Sequence, residues 1–360
     1  MTRRIDQMVA GFAEGDAISI EARLLEGVFR DLGFESDIFA PAERVATADQ
    51  SGCRPLAEYA GSASDLAVYH CSIASQTEEV FLRSPARKIL LYHNITPAEW
   101  FDGFDDRVAA ELRRARANLA RAAAAADAVW ADSAFNAAEL ARLGVPGACV
   151  LPLPFPPARL ALPPDPRVLE KFRRPMRNIL FVGRIAPNKC VEELILAFAW
   201  YVKRADALSR LLIVGSDRSA PRYYAMLRML AGELDLTNVC FELFASAAGL
   251  AAYYELADLF VCPSRHEGYC LPLLEAMDRG VPVLARDAGG MPEALGGAGV
   301  LFDAMAPPEL AALMHRVLSD GALRDEILAS QQARMADVRG RDLAGEIKDL
   351  LAPLAALPSG

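Results

Sequence analysis

An α/β fold with two parallel sheets is predicted from three observations on this chain of 360 residues. Short apolar runs of strand length alternate with stretches whose apolar residues recur at helical spacing. The alternation stops in a proline-rich stretch from Pro152 to Pro175 and starts again at Asn178. The length exceeds what one hydrophobic core commonly serves, and the apolar fraction of 53% is ample for two.

The elements follow in order. Residues 5–10 read as a first strand and 11–16 as a loop. A helix is expected over 18–32, ended by Gly33, whose missing Cβ suits a helix terminus. Residues 36–39 read as a second strand. Residues 66–69 and 88–92 are apolar on both faces, as buried parallel strands are. A long alanine-rich helix is expected over 107–126, and 129–131 and 148–153 read as the last strands of the first domain. Proline lacks an N–H and blocks regular pairing, so the stretch that follows reads as a linker. After it, strands are expected at 178–182, 211–215, 239–243, 259–263, 283–286 and 300–302, and helices finish the chain. The expected division is 1–155, a linker over 156–177, 178–338, and a terminal helix over 339–360.

Composition removes several function classes. A formal net charge of −9 argues against a nucleic-acid binder, which carries a basic surface. No apolar run reaches the roughly 18 residues of a membrane-spanning helix. The start, Met1-Thr2-Arg3-Arg4, is charged, and the apolar stretch behind it is broken by Glu14 and Asp16, so no signal peptide is expected. Seven cysteines, an odd number, are scattered without a Cys-x-x-Cys pair, which fits a reducing cytoplasm and argues against zinc. Four widely spaced histidines and the lack of an Asp-x-Asp motif leave a metal unsupported.

The most informative segment is Ser264-Arg265-His266-Glu267-Gly268-Tyr269-Cys270-Leu271-Pro272-Leu273-Leu274-Glu275. Pro272 fits the first position of a helix and Gly280 fits just past its end. Glu267 then lies in the loop before the helix and Glu275 one turn in, where both carboxylates can face one crevice. The N–H groups of Gly268 to Leu271 point out of the helix start, where an anion is stabilised. A carboxylate pair beside such a helix end suits a ligand with both hydroxyls and phosphates, and a nucleotide-sugar is such a ligand. The second motif is Phe181-Val182-Gly183-Arg184-Ile185-Ala186-Pro187-Asn188-Lys189. It ends a buried strand and precedes a helix with Val191, Leu194, Ile195, Phe198 and Val202 at core-facing spacing. Arg184 and Lys189 flank this turn at the carboxyl end of the sheet, where ligands bind in open α/β folds, and read as a diphosphate clamp.

In these residues the chain resembles retaining glycosyltransferases of family 4, the group often labelled glycosyl transferases group 1. Their GT-B architecture has two Rossmann-like domains whose parallel sheets face each other across a cleft. The resemblance covers nearly the whole chain, with its more specific motifs in the C-terminal half. It implies an acceptor-side first domain, a nucleotide-sugar-binding second domain, and a last helix that returns to the first. It implies that Arg184 and Lys189 bind the donor diphosphate, that Glu275 holds the ribose, and that Glu267 contacts the sugar hydroxyls. Gly268, Tyr269, Cys270 and Leu271 complete the expected donor-binding set.

Three signals in the first half are weaker. The loop carrying Gly15 follows a strand and opens a helix, so its amides suit a phosphate, although it has fewer glycines than many family members. His93 lies just past a strand end, and many members carry a histidine there that lines the sugar pocket. His70 ends a neighbouring strand and reads as structural or acceptor-side. Trp100, Phe101 and Phe104 precede a helix with Arg107, Arg113, Arg114, Arg116 and Arg121. Such a helix can dock on a membrane. The same arginines also suit a solvated face, because residues 1–155 hold 15 Lys and Arg against 22 Asp and Glu.

The expected activity is transfer, with retention, of a hexose, mannose-like for preference, from a GDP- or UDP-linked sugar. The acceptor is a glycan or lipid-linked saccharide of surface polysaccharide synthesis. The expected setting is the cytoplasm, with contact at the inner face of the membrane as a second reading. Arg184, Lys189, Glu267 and His93 are the expected catalytic groups, and no metal or other cofactor is expected. The alternatives are a sugar-nucleotide 2-epimerase of the same architecture and a non-catalytic nucleotide-sugar-binding subunit. Departures from the family pattern are Cys190 and Cys270, where glycine is common, and a missing glycine near Leu243, beside the nucleotide base.

Overall fold

The computed structural model describes residues 3–13, 15–46, 51–156 and 160–356. Glu14 of the Gly15 loop, residues 157–159 of the expected linker and residues 357–360 of the expected terminal helix lie outside them. The chain divides into two compact units. The first takes Met1–Ala98, Ala110–Pro156 and Arg341–Gly360, and the second takes Glu99–Ala109 and Pro157–Gly340.

The first unit is built on strands β1 (Ile5–Met8), β2 (Ile38–Ala40), β3 (Arg54–Pro55), β4 (Leu66–Cys71), β5 (Arg87–Tyr92), β6 (Ala128–Ala131) and β7 (Cys149–Val150). They form one parallel sheet in the order β3-β2-β1-β4-β5-β6-β7. The order reverses at β1, so the carboxyl ends of β1 and β4 flank a switch point, the place where open α/β sheets bind ligands. The helix Ala17–Asp31 starts where Asp16 accepts a hydrogen bond from Ser19 N at 3.0 Å. Its Leu25 and Phe29 pack with Ile5, Val68, Ile89, Leu91 and Trp130. The terminal helix Leu343–Ala356 adds Ile347, Leu351 and Leu354 to the same core. Arg341 donates to Pro152 O, and Arg87 donates to Leu354 O, which tie that helix down at both ends.

The second unit is built on β8 (Arg177–Val182), β9 (Ser209–Val214), β10 (Val239–Glu242), β11 (Leu259–Cys262), β12 (Val283–Arg286) and β13 (Val300–Phe302). They form a parallel sheet in the order β10-β9-β8-β11-β12-β13, with its switch point between β8 and β11. The expected strands at 283–286 and 300–302 coincide with β12 and β13. The proline-rich stretch contains the helix Pro166–Lys171, which begins with its proline at the first position and is capped by Asp165. Asp165 N also donates to Ala248 O at 2.9 Å. Proline at a helix start costs no hydrogen bond, so a segment dense in proline still accommodates one turn or two.

The arginine-rich helix, Asp106–Ala124, turns Ala109, Leu112, Ala115, Leu119 and Ala122 inward. Two of its arginines are neutralised. Arg116 pairs with Glu139 at 2.9 Å, and Arg121 pairs with Glu78 and Glu79, each at 2.8 Å. Two of the aromatic residues ahead of it also turn inward. Phe101 is buried, and Phe104 meets Tyr223 edge to face. No helix among the described residues is long and apolar enough to cross a membrane.

Candidate functional site

Of the expected site residues, eight lie in the second unit. Gly183 follows β8, and its carbonyl leaves no room for a side chain at Gly215, where an added Cβ would come within 1.8 Å. The chain then passes Arg184, which is exposed, and turns through Pro187–Lys189. Cys190 ends that turn with φ at +50° and begins the helix Val191–Arg204. The position expected to favour glycine is therefore left-handed backbone, and the cysteine carries the strain. The turn is laced to the loop after β11. Asn188 Nδ2 donates to His266 O at 3.0 Å, and Arg265 N donates to Asn188 O at 3.0 Å.

This lacing brings Lys189 onto Glu267. Lys189 Nζ donates to Glu267 Oε1 at 2.5 Å, and the two side chains are only 13% and 10% exposed. Burial pulls the Lys189 ammonium down, while the Glu267 carboxylate and Cys270 pull it up, and the balance lies above its ordinary value. The lysine therefore stays charged. Arg265 and Arg286 both meet Glu193, Arg265 at 2.7 Å, and Arg286 Nε donates to Pro263 O at 2.9 Å, which steadies the strand end from behind.

The Glu267 loop leads into the helix Leu271–Asp278. Pro272 occupies its second position rather than its first, because Cys270, at φ +79°, is the cap. The difference is one residue and leaves the helix start open. Gly280, at φ +68°, closes the far end with its N–H on Met277 O at 3.1 Å. Gly268 and Tyr269 are held by a glycine pair that sequence reasoning missed. Gly290 N donates to Glu267 O at 3.0 Å, and a Cβ on Gly290 would lie 2.0 Å from Gly268 O. The available signal was the Gly289-Gly290 dipeptide just ahead of the helix Met291–Leu295. Glu275 is 1% exposed, and its Oε2 accepts from Tyr254 OH at 2.8 Å. Tyr254, from the helix Ala247–Leu256, was also missed.

Gly15 and His93 lie in the first unit. Gly15 is exposed with φ at +82°. Beside it, Asp16 accepts from both the N–H and the hydroxyl of Ser19, and that hydroxyl accepts from Ala13 N at 3.2 Å. Asp16 thus already answers part of the helix start that was expected to meet a phosphate. His93 follows β5 in a turn held by Asn94, whose φ is +70° and whose amide donates to Asn136 at 2.7 Å and Glu139 at 3.2 Å. The His93 side chain is 2% exposed, and both ring nitrogens face protein groups. Nε2 meets His70 Nδ1 at 2.8 Å, while Nδ1 lies 3.2 Å from Glu21 and 3.5 Å from Asp132. His70 Nε2 in turn meets Gln7 Oε1 at 3.0 Å. Glu21, Asp132 and Gln7 carried no motif and were missed.

The wide sequence spacing of histidine and cysteine suggested no ligand cluster. The fold nevertheless gathers Glu21, His70 and His93, then Cys262, Glu267 and Cys270, and then Cys190, Glu192 and Glu193, each set with ligand atoms within 4.8 Å. Cys262 and Cys270 lie 3.8 Å apart, and Lys189 stands on Glu267. That ammonium repels a divalent cation at the second group.

Comparison with known proteins places this geometry. The glycosyl transferases group 1 family matches residues 170–334. A D-inositol 3-phosphate glycosyltransferase of Thermomonospora curvata is 37% identical over 194 residues, which cover 51% of this chain and 42% of that protein. The serotype-specific mannosyltransferase WbdA of Escherichia coli is 31% identical over 169 residues, 46% of this chain and 20% of that protein. The chain thus matches under half the length of these relatives. The sucrose-phosphate synthase of Thermosynechococcus elongatus superposes with a TM-score of 0.73 at 20% identity, covering 98% of this chain and all of that one. Anabaena HepE in complex with UDP and glucose gives 0.69 at 19% identity, covering 99% and 100%. These likenesses, with the two parallel sheets, establish the GT-B fold, and residues 170–334 match the glycosyl transferases group 1 family.

Proposed function

We propose that the protein transfers a hexose from a nucleotide-sugar, with retention, to a glycan or lipid-linked saccharide. The observation that carries this reading is the Lys189–Glu267 pair at the switch point of the second sheet, with Arg184 on the same turn. A charged lysine and an exposed arginine at a strand's carboxyl end suit the diphosphate of the donor. Arg184, Lys189 and the N–H groups opening the helix Leu271–Asp278 stabilise the charge that develops on the departing diphosphate. Glu267 orients Lys189 and keeps its second oxygen for a sugar hydroxyl. Glu275, braced by Tyr254, receives the ribose. The leaving diphosphate takes the acceptor proton, so no protein nucleophile is required and no metal is needed.

HepE in complex with UDP-glucose supports a nucleotide-sugar donor, and the mannosyltransferase WbdA supports a mannose-like sugar. The uridine and guanosine donors remain the two candidates. Incubating the protein with UDP-glucose and GDP-mannose and following free UDP and GDP by chromatography tests the reading. Slow, enzyme-dependent release of nucleoside diphosphate from one donor is expected. Formation of a 2-epimer, or tight binding without turnover of either, would replace it.

A further inference from the structure

Glu21 presents the sharpest electrostatic problem in the first unit. It is 1% exposed, and neither carboxylate oxygen has a hydrogen-bond partner that meets ordinary geometry. A bare buried carboxylate costs several kcal/mol, so such a group takes up a proton or faces a cation. The group it faces is His93 Nδ1, at 3.2 Å and likewise unpartnered.

The protons of the cluster can be counted from the backbone outward. Gln7 Nε2 donates to Ala22 O at 2.8 Å, so Gln7 Oε1 is the acceptor for His70. His70 Nε2 therefore carries a hydrogen. Burial holds the His70 imidazole well below its ordinary value, with His93 adding to the effect, so His70 is neutral and its Nδ1 is bare. That bare nitrogen accepts from His93 Nε2, at 2.8 Å. Both hydrogens are thus assigned without reference to Glu21, and His93 Nδ1 is left facing a carboxylate. Nitrogen and oxygen at that distance both lack a donor unless one more proton lies between them.

We propose that this proton resides on His93 Nδ1, so that His93 is an imidazolium, and that Glu21 is the positioning residue that keeps it charged. The surroundings agree. Glu21 and Asp16 face the ring from the first helix and its cap, Asp132 from the end of β6, and His70 from β4. Arg341 acts on Glu21 from the start of the terminal helix. Two carboxylates within 3.5 Å outweigh one neutral imidazole. Burial pulls the His93 ring down, Glu21 and Asp132 pull it up, and the balance lies above its ordinary value. This inference rests on the transferase reading only for its consequence. A fixed buried cation at the carboxyl end of the first sheet acts through a low-dielectric interior on charge developing in the substrate. Glu21 acts on the reaction only through His93.

Histidine-labelled protein resolves the two questions separately. The chain has four histidines, so single replacements assign the 15N spectrum. In the native protein both His93 nitrogens are expected to stay protonated above the ordinary imidazole value of about 6.5, while His70 shows the neutral Nε2–H form. Glu21→Gln can still meet Nδ1 through its amide, and there His93 is expected to become neutral with a bare Nδ1. A native His93 that titrates near its ordinary value, or that is unchanged by Glu21→Gln, overturns the proposal whatever the activity. With donor present, Glu21→Gln is expected to lower kcat several-fold on the alkaline side of the ordinary imidazole value, where the native ring is still charged and the variant ring is not. KM is expected to change little, the alkaline limb of the kcat profile to move to lower pH, and Glu21→Asp to restore part of the rate. A loss of kcat with an unmoved alkaline limb assigns Glu21 a structural role only. If Glu21→Gln fails to fold, the native spectrum alone decides the charge of His93.

Discussion

Lys189 Nζ and Glu267 Oε1 stand 2.5 Å apart across 78 positions of sequence, each nearly buried. The contact joins the turn after β8 to the loop after β11, the two strands that flank the switch point of the second sheet. Removing Lys189 therefore takes a cation from the proposed phosphate site and leaves a buried carboxylate alone.

Lys189→Ala and Arg184→Ala are each expected to slow transfer by about 10²–10³-fold, the effect typical of losing one transition-state donor. The two should differ in stability. Lys189→Ala also lowers the unfolding free energy, because it breaks a buried pair, whereas the exposed Arg184 contributes little. Steady-state kinetics with urea unfolding of the same variants checks both. Normal turnover in both variants would remove the clamp.

Glu267 and Glu275 should separate by ligand. Glu275→Gln is expected to weaken free nucleoside diphosphate, since the ribose contact is lost, and Tyr254→Phe to do so more mildly by removing the phenol that braces it. Glu267→Gln is expected to leave the free diphosphate almost unaffected while weakening the sugar-linked donor and its transfer. Calorimetry with UDP or GDP and with the corresponding sugar reads the difference. The reverse pattern would exchange the two roles.

Transfer is expected to survive EDTA. Arg184 and Lys189 supply cationic charge at the proposed diphosphate site, and the Lys189 ammonium occupies the Cys262, Glu267 and Cys270 group. Activity that disappears on chelation and returns only with magnesium or manganese would refute this.

Stability should fall with rising pH around neutrality. In the folded chain burial pushes the Glu21 carboxyl up to about 7, partly offset by His93, and His93 itself lies above its ordinary value. Unfolding returns both to ordinary values, about 4.3 and about 6.5, so from about pH 6.5 upward the folded pair binds more protons than the unfolded pair until its own groups have titrated. The folded state then holds more protons, and stability declines as pH increases, by up to about 1.4 kcal/mol per unit. His70, held low, acts in the opposite sense, but only below its unfolded value of about 6.5. Urea midpoints across this range should slope downward in the native protein and less so in Glu21→Gln. Equal slopes would exclude the pair as their source.

The terminal helix should count as core. Leu351→Ala and Ile347→Ala are each expected to cost about 2–5 kcal/mol, as for buried aliphatic truncations elsewhere. Losses below about 0.5 kcal/mol, as at exposed surface positions, would show that the helix does not pack as described.

Much of this was legible in the chain alone. The runs ending at Val182 and Cys262 are apolar on both faces, and only a strand covered by helices on both sides buries such a run. Lys189 and Glu267 were readable because each sits a few residues past such a strand, where local chemistry of turn and helix start is dictated by neighbours in sequence. Cys190 and Cys270 were visible as departures from glycine, though their left-handed backbone was not. What tertiary structure decided was pairing over distance. Gln7, His70 and His93 are separated by 63 and 23 positions, yet they line adjacent strand ends because β4 lies beside β1 while β2 and β3 lie on its other side. No periodicity records which strands become neighbours, so the partners of Glu21 and the charge of His93 emerge only when the sheet order brings their side chains into one dry interior.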